Sequence, residues 1–352
     1  MDERKMTANN EALRKLQKIS DNPVLAKIIE YKKYSKLLDF IDIPVSPEGR
    51  IHTSYNITGA TMARTKKGLI IDDEDSYKSF GRWSSSASII LPYGSGNNQN
   101  IPKKARVIYT APEGQVFLQA DYVQAEAVVV AYCIGDEILK KMFKASFGLP
   151  AEERKAKNYD VHKLTAALMF RCPITEVTEE QRYRGKRIRH STNYSAGPSV
   201  LAADLSCSMS EAKALLDQFH ASCPQLKLWH KEIEKELYRS RSLTNLLGRK
   251  HRFLERWGDE LFRSAYSYIP QSTVGDLLNT ALIRLYNAYG TEATISLQLH
   301  DAIYIICPEE EVPSWKEKMR QCMLISLACN GEEFMIDVDF AVGKSWGDMK
   351  EE

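Results

Sequence analysis

The chain has 352 residues, of which 43% are hydrophobic and 27% charged, and its 48 Lys and Arg against 46 Asp and Glu leave a net charge of +2. This balance is ordinary for a soluble globular protein and excludes a disordered or fibrous class, while the length predicts one large irregular domain or two to three subdomains, and any footprint on a polyanion must come from local clustering. Seven scattered cysteines without a CxxC pair predict a reducing compartment, and the charged start and lack of an apolar run of about 18 residues predict a cytoplasmic protein without a membrane partner.

Two helical stretches open the chain, NNEALRKLQKIS and NPVLAKIIEYKKYSKLLDFI. The second starts on Asn22-Pro23 and carries Leu25, Ile28 and Ile29 at helical spacing, so a helical hairpin is predicted. From about 51 to 102 the character changes: RIHTSYNIT alternates like a strand, and a polar stretch rich in Ser, Gly and Asn runs to NNQNIP, predicted to be mostly loop. GQVFLQADY has the pattern of a buried strand and puts Asp121 at its end, and VQAEAVVVAYCIG continues as an apolar helix. Four helical segments are predicted between 160 and 242. The one carrying QRYRGKRIRHSTNYSAGPSVLA opens on the capping box TEEQ, with Thr178 as N-cap and Gln181 three residues on. A further helix, TVGDLLNTALIRLYNAYG, leads into ATISLQLHDAIYIICP, whose two apolar runs flank His300-Asp301 and predict a β-hairpin with Asp at its tip. A last helix over roughly 310–329 precedes a strand in FMIDVDFAVG, and the chain has no internal repeat or low-complexity tract.

Two constellations carry chemistry. Arg182, Lys186, His190 and Tyr194 recur at every fourth place, which on a helix makes one gently winding stripe about 18 Å long. Such a stripe suits a nucleoside triphosphate, with phosphates at the cationic end and sugar and base at the aromatic end, although a solvated basic face has the same spacing. Phosphoryl transfer to a hydroxyl needs carboxylates on rigid elements to hold divalent ions, and Asp121 and Asp301 are the candidates, each of which alone is also an ordinary cap or turn residue.

Taken together these residues resemble a known family. DYVQAEA is similar to motif A of the family A DNA polymerases, RxxxKxxxHxxxY to motif B and QLHDA to motif C, in the family's order and separation. NNQNIP, DVHKLTA, LLGRKHRF, PQST and VGKSW flank them in register, so the resemblance covers nearly everything from about 20 to 349. QAEA and the His of the stripe resemble the phage-type branch.

The resemblance implies an α+β right-hand polymerase fold with an antiparallel palm sheet, helical fingers and a truncated helical thumb. Residues 1–45 would be partial thumb, 46–135 and 251–352 palm, and 136–250 fingers. It also implies template-directed addition of dNTPs to a primer 3′-hydroxyl. Asp121 and Asp301 would hold two Mg2+ ions, with Mn2+ as a substitute, one ion lowering the hydroxyl's pKa and the other neutralising the triphosphate. Arg182 and Lys186 would clamp the phosphates, and Lys186 would help protonate the leaving pyrophosphate. His190 stands where the family usually has Phe or Tyr, against sugar and base, and Tyr194 would pack near the templating base or serve as a core aromatic. Glu126 would be the steric gate that disfavours a 2′-hydroxyl, with Gln124 supporting it. Arg82 in GRWSSS, with Arg64 as a rival, and Arg263, Gln271 and His300 would touch primer-template DNA.

Several positions depart from the pattern. Ala302 follows Asp301 where Glu is usual, Val123 and Val128 replace Ser and Arg, and Ser191 and Ser195 stand where glycines are usual. The missing carboxylate predicts reduced or altered activity rather than none, and the added side chains predict a stiffer fingers helix or a changed template path, with a non-catalytic DNA-binding or regulatory subunit as the alternative and an RNA-templated or lesion-tolerant enzyme as a third reading. No counterpart of an exonuclease precedes the partial thumb, which predicts a split polymerase with a separate exonuclease and thumb polypeptide; a truncated chain is the rival.

Overall fold

A computed structural model describes residues 10–17, 19–20, 22–43, 45–57, 61–65, 68–72, 80–88, 91 and 95–351. The chain divides into two compact units: Met1–Tyr55, Ser85–Tyr109 and Ser345–Gly347 form one, and Asn56–Ser84, Thr110–Lys344 and Asp348–Glu352 the other.

In the first unit the expected helices are α1 (Asn10–Gln17) and α2 (Pro23–Ile41). Asn22 Oδ1 accepts the Val24 N–H at 3.0 Å and Pro23 enters the first turn, where its missing N–H costs nothing. No residue of α2 is buried. The Arg106 guanidinium lies 4.4 Å from the Trp346 ring centroid, and Tyr109 meets the same ring edge-on.

Among its described residues, the stretch expected to be mostly loop carries four short strands, β1 (Ser54–Asn56), β2 (Thr61–Thr65), β3 (Gly68–Asp72) and β4 (Ser84–Ser86). β2 and β3 pair as an antiparallel hairpin, a correction to the loop reading. The side chains of β2, including that of Arg64, lie outside the described residues.

A five-stranded antiparallel sheet organises the second unit. Its strands are β5 (Gln115–Tyr122), β8 (Thr294–Leu299), β9 (Ala302–Pro308), β12 (Val338–Gly343) and β13 (Lys350–Glu351), in the order β13-β12-β5-β9-β8. Strict alternation in QVFLQADY buries Val116, Leu118, Ala120 and Tyr122 on one face and leaves Gln119 and Asp121 on the other. The apolar face packs against α3 (Ala125–Ile134), α11 (Asp259–Tyr289) and α12 (Val312–Met323) in one core. Each fully buried aliphatic side chain there, such as Leu118 or Leu277, contributes roughly 1.5–3 kcal/mol.

A second core is helical. After α4 (Glu137–Ser146) and α5 (Ala151–Ala156) come α6 (Val161–Phe170), α7 (Glu179–Asn193), α8 (Pro198–Leu205), α9 (Met209–Ser222) and α10 (Pro224–Ser240). Five helices therefore occupy the stretch in which four were expected. The capping box is present, with Thr178 and Gln181 satisfying each other's backbone. The quoted stretch is not one helix: α7 ends at Asn193, Tyr194 is its C-cap, Ser195 takes φ 53, and α8 starts at Pro198. Pro198 cannot donate a backbone hydrogen bond and disfavours helical geometry in Gly197, so the break falls there. The short strands β6 (Ser242–Thr244) and β7 (Lys250–Arg252) pair next.

Two further boundaries differ from expectation. α11 has 31 residues and contains Pro270, whereas the periodic pattern suggested a start near Thr273. An interior proline costs about 3 kcal/mol, which burial of Leu261, Ala265, Tyr268, Val274, Leu277 and Leu278 on both sides of it outweighs. The last helix stops at Met323, and β10 (Leu327–Cys329) pairs with β11 (Glu332–Phe334). Asn330 and Gly331 link them with φ 52 and 81, the paired left-handed values of a tight hairpin turn.

Candidate active site

Asp121 lies one residue before the end of β5, and Asp301 lies in the two-residue turn between β8 and β9 that was expected at that place. β5 pairs with β9, so Asp121 faces Ala302 in register, and the Tyr122 N–H donates to the Asp301 carbonyl at 3.3 Å. His300 takes φ 55 at the turn, a left-handed value uncommon for residues other than glycine but one in which His is enriched. On its other side Asp121 pairs with Asp339 of β12, which puts the two carboxylates on one sheet face.

This crowding has an electrostatic signature. Burial first, then the charges of Asp301 and Asp339, push the Asp121 carboxyl up to about 8. Burial raises Asp301 as well, with Arg82 and His300 opposing. Asp339 is raised by burial and held by the buried Arg154 guanidinium, which also reaches Asp337 at 3.5 Å. Asp121 Oδ1 is buried with no hydrogen-bond partner among the described residues. Two oxygen-rich side chains with an unsatisfied buried lone pair fit a hard divalent cation. No cluster of three or more His, Cys, Asp or Glu with metal-binding geometry occurs among the described residues.

Beside the carboxylates lies a second group. Glu126, in the first turn of α3, accepts from the Arg82 guanidinium with one oxygen and from the Tyr194 hydroxyl with the other. Gln271 of α11 lies close enough to the Tyr194 hydroxyl to oppose its upward shift, and His190 packs edge-on against the Tyr194 ring at 5.0 Å. Gln124 takes φ 51 where β5 turns into α3, and its Oε1 accepts the Val161 N–H at 3.1 Å at the start of α6. Arg263 is exposed eight positions before Gln271 on the same helix, and His300 is exposed at its turn.

The cationic end of the stripe is also more constrained than its spacing suggests. Arg182 Nε donates to Asp160 Oδ2 at 2.7 Å, while Asp160 caps α6 through the His162 and Lys163 N–H groups. Lys186 is exposed one turn further on. The His162 imidazole, absent from the expected site, is pushed down to about 4 by burial, with Lys186, Arg182 and Arg189 adding and Asp160 opposing. Its Nδ1 is buried without a hydrogen-bond partner among the described residues. Asp160 is findable in sequence as the N-cap signal before VHKLTA; His162, Asp339 and Arg154 give no local signal.

Arg82, Glu126, Tyr194, Gln271 and His190 are thus brought together beside Asp121 and Asp301, with Arg182 and Lys186 further along α7. Among known proteins the chain is 26% identical over 353 residues to the thermostable DNA polymerase I of Thermus filiformis, covering 94% of this chain and 37% of that protein. It is 26% identical over 346 residues to DNA polymerase I of Aquifex aeolicus, covering 95% and 50%. The chain therefore spans about a third to a half of these relatives' length. The fold is similar to that of the POL domain of Pol1 from M. smegmatis, solved in complex with DNA primer-template and dNTP, with a TM-score of 0.77 at 23% identity over 98% of this chain and 57% of that one. No helix among the described residues is long and apolar enough to cross a membrane. The sequence pattern of DNA polymerase family A is matched over residues 2–348, and the chain belongs to that family.

Proposed function

We propose that this chain extends a DNA primer with dNTPs under the direction of a template strand. The observation that carries the proposal is the adjacency of Asp121, near the end of β5, and Asp301, in the β8–β9 turn, with a buried Asp121 oxygen lacking a partner among the described residues. Asp121 and Asp301 would hold the divalent ions, Mg2+ by preference, whose chemistry when bound is to acidify the primer 3′-hydroxyl and neutralise the triphosphate. Arg182 and Lys186 bind the phosphates in this reading, and Lys186 holds a proton for the leaving pyrophosphate. His190 and Tyr194 face sugar and base. Glu126, held by Arg82 and Tyr194, would be the carboxylate that excludes a 2′-hydroxyl. Arg263, Gln271 and His300 border the primer and template.

The domain reading assigns residues 1–45 to a partial thumb, 46–135 and 251–352 to the palm and 136–250 to the fingers. It is supported by the position of the sheet and of the mostly helical second core. Assignment to a phage-type branch rests on Gln124, Glu126 and His190 alone. The separate exonuclease and thumb polypeptide is tested by native pulldown, in which absence of a co-purifying exonuclease counts against it.

Ala302 favours a second reading, a DNA-binding subunit without useful turnover. Extension of a labelled primer with magnesium and four dNTPs, run beside Asp301→Ala, separates the two. Extension by the parent alone is expected, whereas no extension by either, even with manganese and excess protein, leaves the binding subunit.

A further inference from the structure

Arg82 reaches Glu126 from a turn that is itself gripped by α11. Gly81 takes φ +86, and a Cβ added there would lie 3.2 Å from both Arg249 Nε and Asp276 Oδ1, a pair locked by bonds from Arg249 Nε at 2.9 and 2.8 Å and from Nη2 at 2.5 Å. Asn245 Nδ2 secures the same carboxylate at 2.8 Å. On α11 itself, Gly275, one position before Asp276, makes the contact: a Cβ on Gly275 would stand 3.2 Å from Gly81 C and 3.3 Å from Arg82 N, so a side chain there would push the turn away by a few tenths of an ångström. One helical turn on, Asn279 Nδ2 donates to the Gly81 carbonyl at 3.1 Å.

We infer that Gly275 and Asn279 are positioning residues, which seat the Gly81 turn on α11 so that Arg82 holds Glu126 in its sugar-reading position. The inference rests on the proposed polymerase reading for its consequence and on the seat's geometry for its mechanism. The Arg82 backbone N is fixed against Gly275, which leaves the Arg82 side chain a short span to one oxygen of Glu126, while Tyr194 takes the other. A fork of two donors on one carboxylate removes its freedom to swing, and loss of one donor restores it. The charged network beneath the turn keeps the seat rigid: Asp276 is 8% exposed and has three donors from two side chains.

Gly275→Ala, Asn279→Ala and Arg82→Ala, with the two double variants that include Arg82→Ala, are tested on the full chain. The first readout is selection of dNTP over rNTP in single-nucleotide primer extension. Each single variant should lower selectivity by about tenfold, and each double variant should be no worse than Arg82→Ala, because residues acting through a shared contact are not additive. Additive losses, or unchanged selectivity in both α11 variants, overturn the inference. Should Gly275→Ala fail to fold, Asn279→Ala, which only removes atoms, decides the question. The second readout needs no activity: the Nε–H signal of Arg82 in 15N-arginine-labelled protein, assigned by its loss in Arg82→Lys. That signal should move or broaden in both α11 variants, and an unmoved signal overturns the seat. A parent that extends no primer with any nucleotide instead removes the polymerase reading, and the Arg82 signal still decides the seat.

Discussion

Replacing Asp121 with Asn should stabilise the cation-free protein at neutral pH and do little in acid. The folded protein holds the Asp121 proton up to about 8 because burial and the charges of Asp301 and Asp339 disfavour the carboxylate, whereas the unfolded chain releases it near the ordinary value of 3.8. Between those values the folded state binds a proton that the unfolded state lacks, so this group makes stability fall as pH rises, by about 1.4 kcal/mol per pH unit. Asn does not ionise, and the difference between variant and parent should therefore grow by roughly 3 kcal/mol between pH 5 and pH 7.5. For a chain of this length that corresponds to a Tm difference of about 4 °C. The comparison must be with the parent at each pH, because His162 and His230, both pushed down to about 4 chiefly by burial, impose the opposite slope: their contribution is lost as pH falls from 6.5. Thermal unfolding in a chelator across that range is the assay. Excess magnesium should raise the Tm of the parent at pH 7.5 and narrow the gap, since a bound cation relieves the same repulsion. A difference that does not change with pH, or a variant less stable than the parent at pH 7.5, refutes the electrostatic account of the carboxylates.

Other expectations follow from single contacts. Gly185→Ala gains up to about 1 kcal/mol of helix propensity, but its Cβ would stand 2.5 Å from the His162 carbonyl and 2.9 Å from the Ala166 N, both backbone. Overpacking of this kind costs about 1–3 kcal/mol, so Tm should fall, and a rise would falsify the close α6–α7 packing. The His162 imidazole should be neutral at pH 6 in free protein, and its NMR titration should move upward when a dNTP shields Arg182 and Lys186, two of the charges that depress it; no movement at saturating dNTP removes the phosphates from that end of the stripe. Glu126→Ala should increase rNTP incorporation relative to dNTP by tenfold or more, with Tyr194→Phe giving a smaller change because Arg82 still holds the carboxylate. Equal selectivity in parent and Glu126→Ala takes the sugar-reading role away from Glu126.

What could be read in the sequence follows the range of the interaction concerned. Alternation in QVFLQADY, the capping box at Thr178 and Gln181, and the hairpin around His300 and Asp301 are local, and all three are found in the fold. Where local rules competed, the reading failed: a fourfold repeat ending at Tyr194 hid the break that Gly197-Pro198 announces, and Pro270 hid the first turns of α11 because its cost is met by distant packing. The last helix, expected to run to about 329, stops at Met323 because Leu327–Cys329 pairs across the Asn330-Gly331 turn instead, a local hairpin signal that the helical spacing does not show. The partners of the site residues were out of reach, since Arg82 meets Glu126 across 44 positions and Arg182 meets Asp160 across 22. Sheet register matters most here, and it changes the meaning of Ala302. Read along the chain, that alanine removes a carboxylate from beside Asp301. Read across the sheet, Ala302 flanks Asp121 on β9 while Asp339 flanks it on β12, so the charge around Asp121 is set by three strands that lie far apart in sequence. A motif that has lost an acid has not thereby lost the site's negative field, and the pH dependence of Asp121→Asn measures that field directly.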